Sequence, residues 1–231
     1  MSTSSDTTAV ASPNYSVTAA HPLSGVTVTP SSSLPGASAV VYKVGLKTSA
    51  SGGLLGSAGS SISIAFPSGT VLTGVTGSQI MVGTTQVGTC GAPSGTSVAC
   101  GIFNGSAVAA STAVTVTLNG VTNPATAAVD TAAVSTTSDT VKNATYCIVA
   151  AGVPCISGVS PASGGVGTAV TITGVNLSGA TSVKFHGTSA VIGTDTAKKI
   201  TTTVPAGATT GTVTVTTGGG TATSSVVFTV T

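Results

Sequence analysis

The sequence carries very little charge. Six lysines and four aspartates supply all of it, because the 231 residues include no arginine and no glutamate. Charged residues make up 4% of the chain, against about 25% in an ordinary soluble domain. Binding nucleic acid through its phosphates needs a patch of basic residues, and a net charge of +2 does not provide one. The composition predicts no nucleic-acid partner and a surface of Ser, Thr, Gly and Ala.

Residues that carry catalysis or bind metals are also scarce. His21 and His186 are the only histidines, and no Gly-x-Ser-x-Gly elbow is present, so a Ser-His-Asp triad is not indicated. The four aspartates are isolated in the sequence and form no Asp-x-Asp calcium loop. They are Asp6, Asp130, Asp139 and Asp195. The sequence predicts no enzyme activity, no cofactor and no metal, and a structural or surface role for both histidines.

Long apolar runs are absent as well. No stretch reaches the roughly 18 apolar residues that a membrane-spanning helix needs, so no membrane span is predicted. Met1–Ser5 has neither the basic nor the apolar region of a signal peptide. Either a leader has been removed, which we favour, or export uses another route.

The last third of the chain, Ile156–Thr231, is built from short alternating runs. Ala169–Thr173 and Thr212–Thr216 place Val or Ile on one face and Thr on the other, as a strand with one buried face requires. Val226–Thr231 supplies a closing strand, and Gly-rich turns separate the runs. Short strands at this spacing predict a β-sandwich.

Several motifs follow one another in this stretch. They are Ile156-x-x-Val159-x-Pro161-x-x-Gly164, Gly167-Thr168, Gly174-x-Asn176-Leu177, Val183-Lys184-Phe185-x-Gly187, Ile200-Thr201-x-x-Val204-Pro205 and Gly211-x-Val213-x-Val215. In this order they resemble an IPT/TIG domain, which implies an immunoglobulin-like sandwich of the early set. The resemblance implies little about function, because similar domains serve in receptors, transcription factors, secreted glycan-processing enzymes and bacterial surface proteins.

The region before it, residues 15–146, predicts a second β domain. Its expected strands are Tyr15–Thr18, Val26–Thr29, Ala39–Lys47, Ser61–Phe66, Gln79–Val82, Ser97–Phe103, Ala113–Leu118 and Ala132–Ser135, with Thr140-Val141 beyond. The motifs are Ala39-x-x-Tyr42-x-Val44, Ile62-x-Ile64-x-Phe66-Pro67-x-Gly69-Thr70 and Val116-x-Leu118-x-Gly120-Val121-x-Asn123-Pro124. This order is similar to immunoglobulin-like repeats of bacterial and archaeal surface proteins, and it implies no activity.

The four cysteines form two local pairs, Cys90 with Cys100 and Cys147 with Cys155. Neither pair has the Cys-x-x-Cys spacing of a zinc or redox site. An even number of cysteines in a Ser/Thr-rich, charge-poor chain fits an oxidising compartment. We therefore expect two short-loop disulfides, the second of which would stiffen a linker. Buried free thiols in a cytosolic protein are the alternative, and other pairings stay open.

Three further patterns have weaker functional meanings. Asn-x-Ser/Thr sequons are candidate glycosylation sites, although chance produces several in such a chain. They begin at Asn14, Asn104, Asn143 and Asn176. Thr-x-Thr runs lack the constant repeat that ice binding needs, and Thr on the solvent face of antiparallel strands explains them better. A Lys–Asn isopeptide bond would need a buried acid beside it.

These observations predict an all-β protein with two tandem immunoglobulin-like β-sandwich domains. We expect a flexible arm at residues 1–14, a first domain at 15–146, a disulfide-closed linker at 147–155 and the IPT/TIG-like domain at 156–231. The favoured function is a non-enzymatic, secreted or cell-surface structural subunit of a filament or sheath that assembles with copies of itself. Its arm could add a strand to the edge of a neighbour's sheet.

The alternative function is an adhesion or carbohydrate-binding module of a larger secreted protein, with a glycan or a surface receptor as its partner. Sugar-binding surfaces generally stack the sugar on exposed aromatic rings. The chain has no Trp, three Tyr and four Phe. This scarcity argues against the glycan version of the alternative.

Overall fold

A computed structural model describes residues 20–231. The predicted arm, the expected strand Tyr15–Thr18 and the sequon at Asn14 lie outside the described residues. The described part is all-β apart from one 3-10 turn at Gly56–Ala58, and it forms two β domains joined near residue 150. The predicted fold class is confirmed. No helix of membrane-spanning length occurs within residues 20–231.

The first domain contains eleven strands. They are β1 (Ser24–Pro30), β2 (Val40–Lys47), β3 (Leu54–Leu55), β4 (Ser61–Ala65), β5 (Thr76–Val82), β6 (Thr85–Cys90), β7 (Ser97–Ile102), β8 (Ala107–Val108), β9 (Ala113–Val121), β10 (Ala128–Thr136) and β11 (Lys142–Ile148). β3 and β8 pair with each other, and the other nine form one sheet in the order β1-β2-β9-β5-β6-β7-β4-β10-β11.

This sheet curls around a single core until its two edge strands lie side by side. All eight ladders within it are antiparallel. Alternation in the sequence selects the inner face: Val40, Tyr42, Val44 and Leu46 of β2 are buried, whereas the residues between them face outward. Tyr42 lies at the centre of an aromatic cluster, with ring centroids 5.3 Å from Phe66 and 5.7 Å from Tyr146.

The second domain is a two-sheet sandwich of nine strands. They are β12 (Cys155–Ser160), β13 (Ser163–Gly164), β14 (Ala169–Val175), β15 (Ser182–Phe185), β16 (Thr188–Ala190), β17 (Ile192–Thr196), β18 (Lys199–Thr203), β19 (Gly211–Thr217) and β20 (Gly220–Val230). One sheet has the order β12-β14-β18-β17 and the other β13-β20-β19-β15-β16. Val and Ile from both sheets pack around an edge-to-face pair, Phe185 and Phe228.

Four strands of the first domain were not expected from the sequence, β3, β6, β8 and β11. In β6, Val87 is the only large apolar residue, so the run Thr85–Cys90 shows no strand pattern. β11 extends through Ile148, so Cys147 belongs to the first domain rather than to a linker, and the connection between the domains is limited to residues 149–154. The placement of β11 matters because this strand borders the site described next.

Candidate functional site

The domain junction is held by a disulfide. Cys147 at the end of β11 and Cys155 at the start of β12 are bonded, with an S–S distance of 2.05 Å. Both cysteines are buried with Val149 in a small apolar cluster. The second predicted disulfide, Cys90–Cys100, joins β6 to β7 at an S–S distance of 2.01 Å. Both cysteine pairs are therefore disulfide-bonded, which supports an oxidising compartment.

Side chains of each domain also bond to the backbone across this junction. Thr145 of β11 donates its hydroxyl to the carbonyl of Ser157 in β12. The amide of Asn176 donates to the carbonyl of Val153 at 2.8 Å. Asn176 has a φ of 54°, in the left-handed region that Asn tolerates better than most residues. Its place in the IPT/TIG-like motif therefore has a structural reason, because it fixes the linker against the second domain.

Next to the junction, the curled sheet of the first domain is incompletely closed. Among the described strands, β1 pairs only with β2, and β11 pairs only with β10. The two strands run parallel and meet at both ends. Pro22 bridges Thr140 at one end, and the amide of Val149 donates to the carbonyl of Ser33 at 2.7 Å at the other. Between these contacts no ladder joins β1 to β11.

We call the opening between β1 and β11 the edge groove, lined by Val26–Ser31 and Asn143–Cys147 together with residues of the second domain. Its cavity volume is about 580 Å³. Val28 and Ala144 lie on its core side and are buried. Thr173, Asn176 and Lys198 line it from the second domain. The groove therefore has an apolar inner wall, a polar outer wall and two strand edges that have no backbone partner among residues 20–231.

Both histidines bond to hydroxyl groups, and neither lies in a triad. His21 Nδ1 lies 3.3 Å from Ser51 Oγ, and His186 Nδ1 lies 2.8 Å from Thr209 Oγ1. The carboxylate of Asp139 instead accepts hydrogen bonds from the Ser49 amide and the Thr136 hydroxyl, at 3.4 Å and 3.3 Å. Within residues 20–231, the hydrogen-bond partner of the His21 ring is thus a serine, and the Asp139 carboxylate is hydrogen-bonded elsewhere. Within residues 20–231 no group of three His, Cys, Asp or Glu side chains could hold a metal ion.

The remaining candidate residues are scattered. Asp195 is exposed and accepts a hydrogen bond from the Ala180 amide at 3.0 Å. Asn143 and Asn176 line the edge groove, whereas Asn104 lies exposed in the turn after β7. Glycosylation of the sequons stays a prediction. All six lysines are exposed, so no buried lysine is available for an isopeptide bond.

A polar cluster inside the first domain was not anticipated from the sequence. The Tyr42 hydroxyl donates to Asn123 Oδ1 at 2.7 Å. Tyr146 lies opposite Asp130 in the β10–β11 ladder, and one oxygen of the Asp130 carboxylate is buried without a partner among the described residues. Burial raises the pKa of the Tyr42 hydroxyl and of the Asp130 carboxyl. Burial, with the Asp130 charge nearby, raises the pKa of Tyr146 to about 12.

We expect the free energy of unfolding to fall as the pH rises above about 10. Tyrosine in an unfolded chain ionises near pH 10, whereas buried Tyr42 and Tyr146 keep their protons. The unfolded state then binds fewer protons than the native state, so stability is full below about pH 10 and is lost as the pH rises through the folded pKa. Urea unfolding between about pH 8 and about pH 11 measures this slope. Tyr146→Phe should roughly halve the slope, and a flat profile in the parent chain would contradict the assignment.

Comparison with known proteins identifies the class of the second domain. Residues 154–230 match the family model described as IPT/TIG domain. This part of the chain is therefore an IPT/TIG domain, as its motifs predicted, and it follows a β-rich first domain. No curated protein matches the chain.

The solved structures that match this chain are longer than it is. An auxiliary nutrient binding protein from Bacteroides thetaiotaomicron is 24% identical over 34% of this chain and 21% of its own, with a TM-score of 0.31. SGBP-B from a complex xyloglucan utilization locus in Bacteroides uniformis is 16% identical over 91% of this chain and 50% of its own, with a TM-score of 0.31. BcpA, the major pilin subunit of Bacillus cereus, is 10% identical over 91% of this chain and 55% of its own, with a TM-score of 0.30. The chain thus spans between 21% and 55% of these structures.

Proposed function

We propose that this chain is a non-enzymatic structural subunit of an extracellular or cell-surface filament or sheath. The observation that carries the proposal is the edge groove, where two strand edges lie open beside a rigid junction. An unpaired strand edge presents a row of N–H and C=O groups to which another chain can pair. Natural proteins commonly protect such edges with charged residues or proline, and Asn143–Cys147 of β11 has neither. The groove is therefore suited to bind a peptide strand.

The surface of the chain supports self-association. A net charge far from zero keeps proteins apart, whereas this chain carries a net charge of only +2 over 231 residues. Several valines of the second domain are also exposed, among them Val191 at 79% and Val166 at 63%. Little electrostatic repulsion would oppose stacking of one copy on another. The disulfide at the junction would keep the two domains of each copy in a constant arrangement.

The groove offers little to a small polar ligand or a reaction. Its one aromatic side chain, Tyr146, is 2% exposed, and Lys198 is its only charged residue. Among the described residues the most exposed aromatic ring is that of Phe103, at 40%, far less surface than a sugar-stacking platform needs. A role as an adhesion or carbohydrate-binding module therefore has less support than a structural role.

We expect the purified full chain to form polymers as its concentration rises, because each copy carries open strand edges. Light scattering gives the mass distribution, and electron microscopy shows the form of the assemblies. A monodisperse monomer at high concentration would contradict the proposal. A glycan array provides the second readout, and we expect no binding. Specific glycan binding by a monomeric chain would favour the carbohydrate-binding alternative.

A further inference from the structure

Within residues 20–231, the curled sheet of the first domain has an odd number of strands, and this number decides how the sheet can close. Nine strands joined only by antiparallel ladders leave the two edge strands parallel, as the parallel bridge between Pro22 and Thr140 shows. A closed sheet with antiparallel ladders throughout needs an even number of strands. One more strand, antiparallel to both β1 and β11, would complete it.

We propose that the edge groove binds the N-terminal segment of a second copy of this chain as this missing strand. The inference rests on the proposed function and specifies its partner. From Thr140 to Val149 the β11 side of the groove spans about 30 Å, at about 3.3 Å per residue. Once the closed ends are subtracted, this length corresponds to a strand of roughly five to seven residues.

The sequence before residue 20 has the pattern that such a strand requires. At odd positions between 9 and 19 every residue is apolar, and at even positions all but Val10 carry a hydroxyl or an amide. Pro13 has no N–H to donate, so we assign the paired stretch to Asn14–Ala19, which contains six residues. Tyr15 and Val17 would then face the core.

The two walls of the groove match this alternation. On the core side, Val28 and Ala144 offer an apolar surface to Tyr15 and Val17. On the other side, Thr173 and Asn176 offer polar groups to Ser16 and Thr18. An inserted strand would place unpaired backbone groups opposite the open edges of β1 and β11, and main-chain hydrogen bonds of this kind supply the affinity of strand addition.

A second copy fits the groove better than the same chain does. The His21 carbonyl accepts a hydrogen bond from the Thr140 amide at 3.0 Å, and Pro22 bridges Thr140. At this end β1 and β11 already touch, and the parallel bridge shows that the chain at Pro22 runs in the direction of β1. Its own segment would have to reverse direction and cross over this closed end, whereas the segment of another copy meets no such obstacle.

The first experiment compares the full chain with a chain lacking residues 1–19. We expect the full chain to associate and the shortened chain to stay monomeric, with an unchanged β-sheet circular dichroism spectrum. A synthetic Thr7–Ala19 peptide should bind the shortened chain, measured by fluorescence anisotropy. Equal association of both chains would overturn the inference and leave the proposed function standing. A full chain that is monomeric and does not bind the peptide would also overturn the inference, because the N-terminal segment of the same chain would then occupy the groove.

Paired peptide variants test which residues face the core. Val17→Asp would bury a charge without a partner, which is strongly unfavourable, so peptide binding should weaken more than about tenfold. Ser16→Asp adds the same charge on the outer side and should change binding far less. Equal effects of the two variants would overturn the assigned orientation. A closed dimer with exchanged segments would support the inference and contradict the filament function, so the two claims can fail separately.

Discussion

Phe228→Ala is expected to lower the free energy of unfolding of the IPT/TIG domain by about 3–5 kcal/mol. The Phe228 side chain is 1% exposed, and its ring centroid lies 5.0 Å from that of Phe185 at an interplanar angle of 83°. Truncation would remove this edge-to-face contact and leave a cavity between the two sheets. Because whole domains are stable by only about 5–15 kcal/mol, much of the second domain's stability would be lost.

The positions of the tyrosines allow unfolding of the second domain to be measured separately from unfolding of the first. All three lie before residue 147, at positions 15, 42 and 146, so tyrosine fluorescence reports only on the first domain and the segment preceding it. Hydrogen exchange read by mass spectrometry on peptides of residues 156–231 reports on the second. We expect rapid exchange in the second domain of the variant with little change in tyrosine fluorescence. Val227→Ala is the matched control, because Val227 lies next to Phe228 in β20 and is 55% exposed, and surface substitutions usually change stability by less than about 0.5 kcal/mol.

The second domain could be predicted well because alternation along each strand indicates which face of the strand is buried. In β19 the alternation of Thr with Val213 and Val215 gives one solvent face and one buried face, and both valines are fully buried. Local alternation specifies which residues face inward without any knowledge of the neighbouring strands. The IPT/TIG motifs added the order of these strands.

The edge groove could not be predicted, because it depends on which strands become neighbours. β9 lies between β2 and β5, which are distant from it along the chain. The sequence of a strand does not indicate which distant strands will pair with it. The odd number of strands, which makes β1 and β11 parallel, is known only once the complete strand order is known. β11 itself was missed, since Cys147 was assigned to a linker although Ala144, Tyr146 and Ile148 alternate toward the core. The sequence did indicate an arm at residues 1–14 that could add a strand to a sheet, but neither the stretch Asn14–Ala19 proposed above nor the place that would receive it.

Asn123 shows the same limit for a single side chain. In the sequence it belongs to an apparent turn, Gly120–Pro124, where Asn is common for its backbone conformation. In the structure it is 1% exposed, and its side-chain oxygen accepts a hydrogen bond from Tyr42 at 2.7 Å. Its nitrogen donates to the carbonyls of Ser32 and Leu34 at 2.9 Å and 2.8 Å. The buried side-chain amide of Asn123 therefore links the β1–β2 connection to the aromatic cluster of the core by hydrogen bonds.

We expect Asn123→Ala to lower the free energy of unfolding of the first domain by about 2–4 kcal/mol, because a buried group that loses its partner costs about 1–3 kcal/mol. The fully buried Tyr42 hydroxyl would lose its acceptor, and two carbonyls would lose their donor. Urea unfolding followed by tyrosine fluorescence measures the change. Asn119→Ala is the matched control in β9, the strand that precedes Asn123, since its amide makes one exposed hydrogen bond, to the Gly77 carbonyl at 2.9 Å.

The pair of Tyr42 and Asn123 can also be tested as a unit. Tyr42→Phe alone leaves the Asn123 oxygen without its donor, and Asn123→Ala alone leaves the Tyr42 hydroxyl without its acceptor. Residues that share a hydrogen bond couple by about 0.5–3 kcal/mol in a double-mutant cycle, so the double variant should lose less stability than the sum of the two single variants. Strict additivity would show that the 2.7 Å contact contributes nothing. In that case the effect of Asn123→Ala would come from the two backbone carbonyls alone, and the β1–β2 connection would be held independently of the aromatic cluster.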